Sequence, residues 1–182
     1  MNNQPLLSFH GQQSIKDEHI ARLKMHHDAD EIIQGTGWEN GKGCDTGCSF
    51  HKYDHNQWPE QLGIPLIIGK LRDNIFEGLP NLNAKTFSLD CSNATPVGVN
   101  LENVWRKFMI WLLVDDAEGV VKFAKTDSQK TAITNVANAF TRSLTEVVTR
   151  EEWWALRKAA YAYAAYAAYA AYAAYAAYAA YA

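Results

Sequence analysis

The chain has 182 residues, a formal net charge of −3 and three cysteines. That length supplies one sizeable core plus an extension. Scattered Lys and Arg exclude the basic stripe of a nucleic-acid binder, and an odd cysteine count excludes a disulfide framework.

In chain order, Met1–Gln13 has neither the basic nor the apolar stretch of a secretory signal, so reduced cysteines in a cytoplasm are the expectation. Ser14, followed by Asp17, predicts a helix reaching about Gln34, where Gly35 and Gly37 stop it. Pro65 opens a second helix with Ile64, Ile67, Ile68, Leu71 and Ile75 as its apolar face; Gly78 and Pro80 end it. Asn100 predicts a cap for a third, carrying Leu101, Val104, Trp105, Phe108, Met109 and Leu112 at helical spacing. Asp127 does the same for a fourth with Ile133, Val136, Ala137, Phe140 and Leu144. Phe87–Asn93 is ambiguous, and Gly119–Phe123 reads as a short strand or a turn. No long stretch alternates with period two, so the fold class is all-α.

Thr149-Arg150-Glu151-Glu152 has the form of a capping box, which starts a last helix through Trp153 and Trp154. From Ala159 to Ala182 there is only Ala and Tyr, with eight of the nine tyrosines. Ala is the strongest helix former, so the tail is expected to be helical. Tyr recurs every third residue on a helix that turns every 3.6, so each ring steps back by about 60° and the stripe winds round the rod. Such a rod has no single apolar face. Its rings are expected to be covered by another copy of the chain, making a homo-oligomer. A membrane span is disfavoured because Ala contributes little to insertion and Tyr prefers interfaces.

The chemistry-bearing residues concentrate in Cys44–His55, where two cysteines and two histidines fall within twelve residues. Cys44, Cys48, His51 and His55 follow at i, i+4, i+7 and i+11. On one straight helix the first and last would stand about 16 Å apart, so all four cannot meet one ion. A helix that starts near Thr46 instead leaves Cys44 in a loop beside Cys48 and His51. His26 or His27, from the first helix, is then a fourth ligand for a tetrahedral zinc. His51 and His55 also place two imidazoles one turn apart, without the Glu that zinc peptidases carry after the first His. Two other readings stay open: an ordinary core face of Cys, His, Trp and Leu, and a reactive Cys48 near a helix N-terminus with Lys42 and His51 close by.

The order of these pieces resembles a family of uncharacterised bacterial and bacteriophage proteins. The matching pieces are Gly41–Cys48 with His51 and His55, Gln61–Pro65, Ile75–Pro80, Trp105–Asp115 and the Ala/Tyr tail. Gln61 stands where that family's pattern has Glu, and the amphipathic end that follows its repeat is absent. The resemblance implies one unit in which the Cys/His segment matters, and it implies no reaction.

These readings combine into a helical domain over residues 1–148 and an Ala/Tyr helix over 149–182. The expected function is a helical binding or assembly module with a structural metal site, zinc, drawn from Cys44, Cys48, His51, His26, His27 and His55. Neither nucleic acid nor membrane is an expected partner. The rival is an enzyme, a metal-dependent hydrolase or a thiol enzyme centred on Cys44–His55.

Overall fold

A 3-10 turn at Ser8–Gly11 leads into α1 (Gln13–Asp28), with Gln12 rather than Ser14 in the N-cap position. This computed structural model describes residues 5–164, with side chains through Tyr161. It is mostly helical, as expected, with eight α-helices and one two-stranded ribbon among the described residues. Contacts divide the chain into two units, Met1–Glu102 and Asn103–Ala182. Among the described residues no helix is long and apolar enough to cross a membrane.

In the first unit α1 ends at Asp28, short of the predicted Gln34. Asp30 turns the chain with φ 55°, and the strand-like pairing of Glu31 and Ile33 with Gly43 then competes successfully with helix. Asn40-Gly41, both at positive φ, closes a hairpin between β1 (Trp38–Glu39) and β2 (Lys42–Gly43). Both positions suit the left-handed conformations such a tight turn demands. Four helices follow: α2 (Asp45–Phe50), α3 (Gln57–Leu62), α4 (Leu66–Gly78) and α5 (Asn81–Ala94). The ambiguous Phe87–Asn93 therefore lies inside a helix. Ser8 ties the two ends of the unit together, its backbone N–H donating to Val99 O at 2.9 Å.

The face that α4 buries differs from the predicted one. Gly69, Arg72, Asp73 and Phe76 are buried, while Ile67, Ile68, Leu71 and Ile75 are half-buried. Two charged side chains point inward because partners wait for them. Arg72 donates Nε–H and Nη2–H to the two oxygens of Asp45, each at 2.9 Å, and Asp45 is 0% exposed. The guanidinium also lies over the Trp58 ring at 4.5 Å and bonds Ser88 O and Ser92 Oγ.

His19 of α1 completes this buried network through Ser92 Oγ at 3.1 Å. Burial, followed by the Arg72 and Arg22 charges, lowers its pKa to about 3. The unfolded imidazole keeps the ordinary value near 6.5, so between those values the unfolded chain binds a proton that the native chain refuses. This contribution therefore makes stability fall as pH drops through that window and leaves it level above. Urea midpoints at about pH 4, 6 and 8 are expected to show the slope, and His19→Gln to flatten it. An unchanged slope in the variant would assign the acid sensitivity to other groups.

In the second unit, α6 (Val104–Val114) begins after Asn103. Asn100, predicted to cap it, instead accepts the Glu102 N–H at 2.8 Å in the preceding turn. Val120–Phe123 is a 3-10 turn. α7 (Asp127–Arg142) is capped by Thr126, in a full capping box with Gln129, rather than by the predicted Asp127; it buries the predicted Ile133, Val136, Ala137 and Phe140, and ends before the predicted Leu144. α8 (Arg150–Ala164) starts where Thr149 Oγ1 accepts the Glu152 N–H at 3.2 Å. Phe140 joins the core of this unit, with Trp105 edge-on at 5.5 Å and Trp153 at 4.7 Å between ring centroids. The predicted continuation through the Ala/Tyr repeat, and the copy-to-copy contact expected of it, lie outside the described residues from 165 onward.

Candidate functional site

The Cys/His segment is held by unusually close backbone packing. α2 is six residues long and rests on the hairpin, so that a Cβ at Gly47 would stand 1.7 Å from the Gly37 carbonyl oxygen. Cys44 is its N-cap, as the loop-first reading required, with its N–H shared between Thr36 O at 2.8 Å and Gly37 O at 3.2 Å. His51 ends the helix in the left-handed conformation, φ 55°.

The two thiols are buried and directed at backbone carbonyls. Cys44 and Cys48 are both 0% exposed, in an apolar cluster with Leu23, Ile32, Phe76 and Ala84. The Cys48 thiol reaches Gly43 O at 3.3 Å and Glu31 O at 3.7 Å; the Cys44 thiol reaches Gly37 O at 3.5 Å. Burial pushes Cys48 up to about 12. It also pushes Cys44 up, with the Asp73 carboxylate adding to the effect. At neutral pH both are thiols, so Cys48 near the start of α2 does not become the activated thiolate that position suggested.

The histidines divide three ways. His26 is 3% exposed; its Nδ1 contacts Glu31 Oε2 at 2.7 Å and its Nε2 contacts His51 Nε2 at 2.9 Å. Nδ1–H donates to the Glu31 carboxylate, and a single proton bridges the two Nε2 atoms. The exposed His51 ring stacks on Trp38 at 5.0 Å and 16°, and the Trp38 ring meets His26 edge-on at 5.5 Å. Burial, followed by the His26 and Arg22 charges, lowers the His51 pKa. Arg22 is placed there by donating to Ser49 O at 2.6 Å.

His55 belongs to a second cluster, on Asp73 of α4. Asp73 Oδ2 accepts both the Tyr53 hydroxyl at 2.9 Å and His55 Nε2–H at 3.1 Å. Loss of water around the phenol, then the Asp73 carboxylate, pushes Tyr53 up to about 12 although its ring is exposed. Asp73 Oδ1 is buried with no hydrogen-bond partner among the described residues. His27 lies apart on the exposed end of α1, against Asp28 at 3.2 Å.

The structure does not bring the predicted ligand set of Cys44, Cys48, His51 and His26 or His27, with His55 nearby, to one point. Among the described residues no group of three or more His, Cys, Asp and Glu is arranged to hold a metal ion. The thiols spend their hydrogen bonds on backbone carbonyls, half-buried His27 pairs with Asp28, and His55 is engaged by Asp73. Only His26 and His51 are joined, as expected. Sequence reasoning missed Glu31, Trp38, Tyr53 and Asp73. Asn40-Gly41 was the available signal for the hairpin that carries Trp38; Glu31 and Asp73 had none, because their partners come from other elements. Comparison with known proteins finds no matching family model, no similar curated protein and no similar solved structure.

Proposed function

We propose that the chain is a helical binding module whose ligand-contacting face is the group Trp38, His51, Tyr53 and His55 of the first unit. The observation that carries this reading is the Glu31–His26–His51 relay, a half-buried carboxylate and a buried imidazole ending on an exposed ring that Trp38 holds in place. Beside it, Asp73 orients His55 in the same carboxylate–imidazole manner. Such pairs fix the tautomer of the outer ring, so the face offers a ligand two oriented imidazoles. Self-association through the Ala/Tyr tail, a cytoplasmic setting and kinship with the phage-associated family belong to the same proposal. A net charge of −3 with scattered Lys and Arg supports leaving nucleic acid out of it.

A second reading, a hydrolase, is favoured by one observation: an Asp–His pair such as Asp73–His55 is an arrangement that serves general-base catalysis. The experiment that separates them is a panel of divalent metals, phosphate esters, carboxylate esters and acidic peptides, followed by the imidazole C–H resonances. Binding that shifts His51 and His55 while leaving His10 and His27 in place is the expected result. Ligands that shift only the latter pair, or none that shift any histidine, would end the proposal. Ester turnover lost in His55→Gln would favour the hydrolase. Rapid alkylation of Cys48 in the folded protein near pH 7 would instead revive the thiol enzyme.

A further inference from the structure

We propose that His26 and His51 form an open two-histidine site for a divalent transition metal, deepening the binding face described above and resting on that reading. Their Nε2 atoms approach to 2.9 Å with the ring planes at 89°. Two imidazole nitrogens bound to one tetrahedral zinc at about 2.0–2.1 Å stand roughly 3.3 Å apart. The observed separation is therefore short of the liganded one by only a few tenths of an ångström. The nitrogens already face one another, and His51, being exposed on its turn, has room to move by that much.

Glu31 supplies the second feature. Its contact with His26 Nδ1 at 2.7 Å fixes the tautomer whose Nε2 lone pair now accepts the proton shared with His51; a metal takes that proton's place, His51 carrying its proton on Nδ1 instead, in the carboxylate–histidine–metal order that orients metal-bound imidazoles generally. Trp38 holds the other ring by stacking. The thiols take no part, because Cys44 and Cys48 are protonated and directed at carbonyls. Imidazole donors suit Zn²⁺, Ni²⁺ and Cu²⁺ rather than Mg²⁺ or Ca²⁺. Two protein ligands leave the remaining positions to water or to an oxygen donor of the bound molecule. An open position is the property of a site that binds exchangeable ligands.

The test uses the full chain, stripped of metal with a chelator, then titrated with Zn²⁺ in competition with a chromophoric chelator and separately with Co²⁺. One metal per chain is expected, with a Co²⁺ spectrum that lacks thiolate charge-transfer absorption. His51→Gly is the main variant, because a left-handed helix end accepts Gly without strain and so preserves the backbone. It is expected to abolish uptake while the circular dichroism stays native. Glu31→Gln is expected to weaken uptake by roughly 10–100-fold. No saturable uptake by the stripped protein, unchanged uptake by His51→Gly, or a thiolate band with Co²⁺ would each overturn the inference. Failure here is distinguishable from failure of the binding-face reading. The ester and peptide members of that panel test that reading without any metal, through His55, which the metal does not engage.

Discussion

Replacing Arg72 with methionine is expected to cost about 3–5 kcal/mol of stability, the range for removing one partner of a buried ion pair. Asp45 is 0% exposed and both its oxygens are taken by the guanidinium, so the variant leaves a carboxylate in the core with no counter-charge. The same substitution removes the donors to Ser88 O and Ser92 Oγ and uncovers the face of Trp58. Methionine fills much of the stem's volume, so the loss reads charge and hydrogen bonding more than packing. Lysine is no substitute, because one ammonium cannot make the paired contact to both oxygens. Combining Arg72→Met with Asp45→Asn should recover part of the loss, since the stranded charge is then gone. Denaturant unfolding of the two singles and the double measures the coupling. Additive losses would show that the pair does not act as a unit.

How far the sequence discloses this fold depends on whether an element is specified locally. α7 is legible because Asp127 marks its start to within one residue and one stripe from Ile133 to Phe140 is apolar. α8 is legible from Thr149 for the same reason. α4 shows the opposite case. Pro65 and Gly78 mark its ends, yet its inward side carries Arg72 and Asp73, whose burial only makes sense with Asp45, Tyr53 and His55 in place. A hydropathy pattern assigns such residues to solvent. α5 hides for a related reason, since its buried positions are the small Ala84, Ser88 and Ser92. At the site, residue types select Cys44, Cys48, His26, His27, His51 and His55 without separating the joined pair, His26 and His51, from the rest. What they leave out is direction: the same Cys residues would serve zinc if their Sγ atoms converged with the imidazoles, and they are inert because backbone carbonyls and apolar neighbours receive them.

Gly47→Ala is expected to destabilise the first unit by at least the upper end of the roughly 1–3 kcal/mol typical of overpacking. The new Cβ would lie 1.7 Å from the Gly37 carbonyl oxygen, 2.9 Å from its carbon and 3.3 Å from Trp38 Cβ. The obstacle is backbone, so no rotamer change relieves it. Moving α2 off the hairpin breaks the shared bond from Cys44 N–H to Thr36 O and Gly37 O, and it withdraws His51 from the stack on Trp38. Stability and site geometry should therefore fail together: a lower melting temperature, and an imidazole C–H resonance of His51 returned to its unstacked position. Gly78→Ala is the matched control, because nothing lies within 4 Å of that Cβ and its φ is not in the left-handed range. There the loss of unfolded-chain freedom should leave stability unchanged or raise it by about 0.4–1 kcal/mol, with the His51 resonance unmoved. If Gly47→Ala melts like the control, α2 and the hairpin are not in the contact that holds Cys44 and His51 in position, and the relay ending on His51 loses its structural basis.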